Sequence, residues 1–182
     1  MKVTLKNGIS QEMPAGQTVG FALSALGVKL GSDILAAKVN GQAVDLSSTL
    51  TEDAEVSPLL FDSPEGREVY RHSSTHIMAQ AVKEVFPTAQ LTIGPALEDG
   101  FFYDFAFERP FTPEDLEKIE AKAKDIIKRA HPVKRAELSK HDAVKFFEAR
   151  GEAYKVELIQ GLADGQTISV YSQGEFTDLC RG

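Results

Sequence analysis

Two Asn-Gly dipeptides, Asn7-Gly8 and Asn40-Gly41, constrain the first third of this chain more tightly than any other feature. Both residue types tolerate positive φ, so Asn-Gly between short apolar runs specifies a two-residue hairpin turn. Val3-Thr4-Leu5 and Ile9-Ser10-Gln11-Glu12-Met13 flank the first turn; Ala36-Ala37-Lys38-Val39 and Gln42-Ala43-Val44 flank the second. Between them Pro14-Ala15-Gly16 closes the first hairpin, and Thr18 is placed to cap a short helix to about Leu26. A last strand is expected over roughly Ala54 to Leu60. Hairpin, helix, hairpin, strand is the order of a β-grasp, ubiquitin-like unit, assigned to residues 1–61. Residues 1–60 contain neither His nor Cys, so no catalysis is expected there.

Residues 62–182 read as a second, α+β unit with a mostly antiparallel sheet. Phe61 to Gly66 is a short linker in which Ser63 caps a helix and Pro64 takes its first position. That helix runs to about Phe86, where Pro87 ends it. Val69, Ile77, Ala81, Val82 and Val85 fall near one side, bordered by His72 and His76. Strands are expected over Leu91-Thr92-Ile93 and Phe101 to Phe107. Thr112-Pro113-Glu114-Asp115 opens an amphipathic helix whose apolar positions are Leu116, Ile119, Ala123, Ile126 and Ile127. A strand over Pro132 to Leu138 precedes a helix capped by Ser139 with Asp142 and closed by Gly151. Tyr154 to Gln160 suits helix or strand equally. Thr167 to Tyr171 alternates as a strand, with Phe176 to Cys180 as its hairpin partner across Gln173-Gly174.

A net charge of −7 over 182 residues argues against holding nucleic acid by bulk electrostatics, without excluding a structured RNA gripped locally. The single Cys rules out an intramolecular disulfide and suits a reducing compartment. The N-terminus lacks a signal-peptide run, and no segment approaches membrane-spanning length. A soluble, cytoplasmic protein without membrane contact is expected.

His72-Ser73-Ser74-Thr75-His76 places two imidazoles on one helix face. Such a pair can ligate a metal, as in zinc proteases, but those carry a Glu beside the first His, and Ser73 stands here. The pair can equally line a polar pocket that binds substrate or orients water, or have no role at all. His131 and His141 are read as structural. Cys180 alone is more often a buried small residue than a nucleophile. Asp178 alone suits a hairpin end, and Lys155 an exposed surface. A His-x-x-x-His followed at a distance by Asp-x-Cys is more specific than any of its members. Lys118, Lys122, Lys128, Arg129, Lys134 and Arg135 concentrate positive charge. Alternation with Glu makes a solvated helix face the usual reading and an RNA contact at Lys122, Lys128, Arg129, Lys134 and Arg135 the minority one.

Taken together, His72 to His76, Leu91-Thr92-Ile93-Gly94-Pro95, Gly100-Phe101-Phe102-Tyr103-Asp104, Tyr154-Lys155 and Asp178-Leu179-Cys180-Arg181-Gly182 make the chain resemble the N-terminal part of bacterial-type threonyl-tRNA synthetases. Residues 1–61 resemble their TGS domain, and residues 62–182 their editing domain, shared with alanyl-tRNA synthetases. In that family the last segment continues as Pro-His, so the resemblance implies a C-terminally truncated editing domain.

The implied function is hydrolysis of serine wrongly esterified to threonine tRNA. One methyl group supplies only ~1–3 kcal/mol of discrimination, so a second, hydrolytic site is needed. The resemblance implies a pocket lined by His72, His76, Lys155, Asp178 and Cys180. In it Asp178 would hold the substrate ammonium, and His72 would crowd threonine's methyl. Lys155 and His76 would position water or stabilise charge, with Cys180 as a wall. No metal is expected in this region; ATP, magnesium and zinc are expected only in the family's catalytic core. The expected partner is tRNA(Thr) carrying serine, and the full-length parent is expected to be a homodimer. Two alternatives stand beside this reading: an RNA-binding module with an inert pocket, and a free-standing, zinc-dependent hydrolase of the alanyl type.

Overall fold

A computed structural model describes residues 1–163 and 165–180. Arg181 and Gly182, the last two residues of the terminal motif, lie outside the described residues. The chain forms two compact units, Met1–Arg71 and His72–Gly182. The sequence expects the division at the linker near residue 61; the compact units divide between Arg71 and His72, within a helix.

The first unit contains β1 (Lys2–Leu5), β2 (Ser10–Glu12), β3 (Gln17–Thr18), α1 (Val19–Ala25), β4 (Ile34–Val39), β5 (Gln42–Val44), β6 (Thr49–Leu50) and β7 (Ala54–Leu60). Five strands form one sheet in the order β2-β1-β7-β4-β5. Strands β1 and β7 run parallel and the other neighbours antiparallel, the β-grasp arrangement. Thr18 caps α1, its hydroxyl accepting from Phe21 N. One apolar helix face, with Val19, Ala22, Leu23 and Leu26, meets Val3, Leu5 and Val56 of the sheet in a single core.

The two Asn-Gly turns fold differently. At the second, Asn40 and Gly41 both take positive φ, 50° and 86°, and Val39 pairs with Gln42 across a true two-residue turn. At the first, only Gly8 does so, at 90°; Gly8 N donates to Leu5 O and Leu5 N to Ile9 O. Lys6-Asn7-Gly8 is therefore a three-residue loop, and the expected two-residue turn is corrected. Burial of Met13 decides the register: Met13 N donates to Met1 O, which keeps Met13 on the face of Val3 and Leu5. A two-residue turn would slip the pairing by one and flip Met13 to the other side.

Helix α2 (Pro64–Val85) crosses the boundary between the units. Ser63 caps it as expected, its hydroxyl accepting from Gly66 N at 3.0 Å. The second unit continues with β8 (Gln90–Leu91), β9 (Ala96–Leu97), β10 (Gly100–Phe101), β11 (Phe105–Ala106), α3 (Pro113–Arg129), β12 (Val133–Leu138), α4 (Lys140–Glu148), α5 (Ala153–Gln160), β13 (Ile168–Gln173) and β14 (Phe176–Leu179). Strands β12, β13 and β14 form an antiparallel sheet in that order. Phe147, Ile159, Ile168 and Val170 build a core between this sheet and helices α4 and α5. A second core joins α2 to α3 through Val82, Ile119 and Ile126. The ambiguous segment from Tyr154 is helical.

Two expectations need correction. The strands around Gly94-Pro95 are not continuous; they break into two short ladders, β8 with β11 and β9 with β10. Pro95 has no N–H to give a ladder, and Tyr103 turns inward at the break. The apolar positions of α3 also divide. Ile119 and Ile126 are buried, whereas Leu116 and Ile127 are 57% and 61% exposed. The five positions span an arc of about 100°, and the core covers only one side of it.

Candidate active site

Helix α2 supplies two imidazoles one turn apart, the rings of His72 and His76 standing 5.2 Å centre to centre. Thr75, buried between them, donates its hydroxyl to His72 O. Across from α2, Asp178 of β14 and Cys180 just beyond it project to one face of the sheet, as residues two apart on a strand must. Leu179 between them turns to the opposite face and joins the core. Cys180 is tied to β13, its N–H donating to Ser169 O while the Ser169 hydroxyl donates to Cys180 O. Lys155 comes from the first turn of α5 and Tyr103 from the break between β10 and β11.

These side chains meet at one carboxylate. Asp178 Oδ1 accepts from Lys155 Nζ at 2.8 Å and from Leu179 N at 2.8 Å. Its Oδ2 accepts from the Tyr103 hydroxyl at 3.0 Å and faces His76 Nδ1 at 3.1 Å. Lys155 Nζ also donates to the Tyr103 oxygen at 3.1 Å, closing a triangle. On the other side His72 Nε2 lies 2.9 Å from Cys180 Sγ.

Burial opposes every charge in this group, and mutual pairing outweighs it. The Asp178 carboxyl is desolvated, yet the hydrogen bond from His76 and the Lys155 charge hold it down to about 2. Burial disfavours an imidazolium at His76, but Asp178 and then Cys180 raise it to about 9. Burial would push the Cys180 thiol up; hydrogen bonds from His72 and His76 bring it down to about 6. Burial, then the Asp178 charge, pushes the Tyr103 phenol well above its usual range, so it remains a neutral donor. These shifts favour a carboxylate at Asp178, an imidazolium at His76 and a thiolate at Cys180.

His72, His76, Lys155, Asp178 and Cys180 all line one cavity of about 420 Å³, with Tyr103 and the Thr92 to Pro95 segment on its rim. All five residues expected in the pocket are thus gathered there. His76 Nε2 is buried and makes no hydrogen bond of good geometry, its polar neighbour being Cys180. With Nδ1 engaged by Asp178, Nε2 is the ring atom left to face Cys180 and the cavity. The expected contact from Asp178 to a substrate ammonium would displace one of the four donors that now fill its acceptor positions. Asp178 organises the site.

Ligand atoms of His72, His76 and Cys180 lie within 4.8 Å of one another. Their spacing does not suit a shared tetrahedral ion. His72 Nε2 and Cys180 Sγ, 2.9 Å apart, are closer than the roughly 3.5 Å between nitrogen and sulfur ligands around one zinc. No fourth donor joins them among the described residues.

The basic residues do not form one patch. Lys122 lies 3.6 Å from Glu84, and Arg129 forks onto Glu84 and Asp125. Arg135 pairs with Glu137 on β12, while Lys128 and Lys134 are exposed. His131 and His141 are exposed and away from the cavity.

Sequence reasoning missed two residues. Tyr103 bridges Lys155 and Asp178, and its only sequence signal was its place in the Gly-Phe-Phe-Tyr-Asp segment. Gly94 is the other: a Cβ there would lie 2.2 Å from the Tyr103 ring. Gly94→Ala is expected to displace that ring and strip Asp178 of one donor. A destabilisation of about 1–3 kcal/mol by overpacking should accompany it. Urea denaturation checks the stability. The near-ultraviolet circular dichroism of the tyrosines should change while the helical signal does not.

Comparison with known proteins agrees with this architecture. A family model described as the TGS domain matches residues 1–57. The chain is 51% identical over 180 residues to a threonine–tRNA ligase of Symbiobacterium thermophilum, a match covering 99% of this chain and 28% of the relative. It is 48% identical over 182 residues to the threonine–tRNA ligase of Acetivibrio thermocellus, covering 100% of this chain and 29% of that protein. A 48% identical ligase from Methylococcus capsulatus is covered to 28%. The chain therefore spans less than a third of the length of the relatives it matches. No helix among the described residues is long and apolar enough to cross a membrane. Along its whole length the chain is similar to part of these threonine–tRNA ligases, and its residues 1–57 match the TGS domain.

Proposed function

We propose that the cavity is an editing site that hydrolyses the ester between serine and the 3′ end of threonine tRNA. The observation that carries this is the His76 imidazole at the wall of the cavity, held through Nδ1 by the buried Asp178 carboxylate, with Nε2 left toward Cys180 and the cavity. Water attacks the ester carbonyl, the bond to the ribose oxygen breaks, and that oxygen leaves as a hydroxyl. His76 Nε2–H donates to the oxygen that becomes negative at the tetrahedral stage. Lys155 and the Tyr103 hydroxyl hold Asp178, and Asp178 holds the imidazolium. The substrate ammonium rests against the Cys180 thiolate, which acts as a wall and a charge rather than a nucleophile. His72 fixes that sulfur and crowds the position where threonine carries its extra methyl.

The reading uses no metal in this region; ATP, magnesium and zinc serve ligation chemistry that it assigns elsewhere in a full-length ligase. The same reading takes tRNA(Thr) bearing serine as partner, the cytoplasm as compartment and a homodimer for the full-length parent. The test is hydrolysis of seryl-tRNA(Thr) and threonyl-tRNA(Thr) by this chain, with and without a chelator. Serine-selective turnover that survives chelation is the expected result. Loss on chelation, with recovery on adding zinc, would establish the alanyl-type chemistry instead. Tight tRNA binding without turnover would leave an RNA-binding module.

A further inference from the structure

We propose that the open face of β12 and β13 beside the cavity binds the single-stranded 3′ end of the RNA whose aminoacyl ester enters it, with Tyr171 as a stacking surface and Arg135 beside it. The inference rests on the editing reading and says where the polymer leaves the site.

Strand register places these residues. Arg135 of β12 is directly opposite Tyr171 of β13, and Tyr171 is directly opposite Asp178 of β14. Directly opposed residues share a sheet face. Arg135, Tyr171 and Asp178 therefore form one row, with the buried Asp178 carboxylate at one end and Arg135 on the edge strand. Ser169, two residues before Tyr171 and on the same face, lines the cavity with Asp178 and Cys180, so the row begins at the cavity wall. The opposite face of this sheet is occupied by the core, through Leu138, Ile168, Val170 and Leu179.

The chemistry favours unpaired bases. Tyr171 is half-buried, and Val133, 56% exposed, lies on the same face of β12 as Arg135. A partly exposed aromatic ring beside a planar guanidinium and an apolar side chain suits bases that have left a duplex. Glu137 holds the Arg135 guanidinium at 2.7 Å, and Tyr171 also interacts with it. Arginine and glutamate together bring no net charge, so binding here works by stacking rather than phosphate neutralisation and depends little on salt. The ester sits at the terminus of a long polymer, so the preceding nucleotides must pass out over the cavity's open side.

The test compares two esters: seryl-tRNA(Thr) and 2′(3′)-O-seryl-adenosine, which has no preceding nucleotides. Tyr171→Ala is expected to raise KM for seryl-tRNA about tenfold, with kcat kept and Tyr171→Phe restoring it. Arg135→Ala is expected to raise KM several-fold, and neither variant should alter turnover of seryl-adenosine. Equal losses on both esters, or an unchanged KM for seryl-tRNA, would overturn the proposal. Wild-type turnover of seryl-adenosine reports on the editing reading itself. If the wild type hydrolyses neither ester, that reading fails, and anisotropy with an uncharged RNA hairpin decides the platform alone. Binding weakened by Tyr171→Ala only when the hairpin carries a single-stranded 3′ tail would sustain it; binding indifferent to the tail would not.

Discussion

Asp178→Asn is expected to lower the hydrolytic rate at least a hundredfold and to destabilise the His72–Gly182 unit by about 3–5 kcal/mol, the usual cost of breaking a buried ion pair from one side. Asp178 and Lys155 are almost wholly buried, at 1% and 4% side-chain exposure. An amide at 178 would leave the ammonium without its counter-ion and remove the acceptor that orients His76. Pairing Asp178→Asn with Lys155→Met should recover part of the stability, since no charge is then left alone. Activity should not recover. Urea denaturation of the two variants measures the first claim, and seryl-tRNA hydrolysis the second. Unchanged stability in Asp178→Asn would show that the ion pair does not hold the site.

The same network sets a pH window. Asp178 titrates lower in the folded chain than in the unfolded one. Its contribution is therefore complete above the ordinary carboxylate range and lost as pH falls through about 2. His76 titrates higher when folded, so its contribution is complete below its ordinary value and disappears as pH rises through about 9. Both act together from mildly acidic to neutral pH. Asp178→Asn should flatten the alkaline limb of this profile.

His76→Ala is expected to reduce kcat by about a hundred- to a thousandfold, the loss typical of one donor to a developing oxyanion, with little change in KM. The wild-type pH profile should be bell-shaped. Its acid limb near 6 follows formation of the Cys180 thiolate that meets the substrate ammonium. Its alkaline limb near 9 follows deprotonation of His76. Cys180→Ser should lose the acid limb and raise KM while keeping turnover. Abolition of turnover in Cys180→Ser would make the thiolate a nucleophile and end the direct-water mechanism. An alkaline limb that persists in His76→Ala would remove His76 from the donor role.

Much of this was legible because it is local. Ser63, Thr18, Thr112 and Ser139 each cap the helix their position announced. A cap depends on a side chain reaching an amide two or three residues away. The His-x-x-x-His spacing put two imidazoles on one face for the same reason. Recognition of Asp178, Cys180 and Lys155 rested on resemblance, since nothing local distinguishes them.

What the chain could not announce depends on contacts between distant segments. The first Asn-Gly turn follows the burial of Met13, not its own preference. Leu116 and Ile127 repeat at helical spacing, yet the core reaches only the Ile119 and Ile126 side. Tyr103 is one aromatic among several until the break at Gly94-Pro95 turns it toward Asp178. At Asp178 the sequence shows the charge but not its four hydrogen-bond partners. The sequence by itself determined the β-grasp order, the helix ends and the residue types that carry chemistry, all fixed within a few residues along the backbone. Only the tertiary structure decided which charges face one another and which partners His76 meets, because desolvation and pairing act between atoms about a hundred residues apart in sequence.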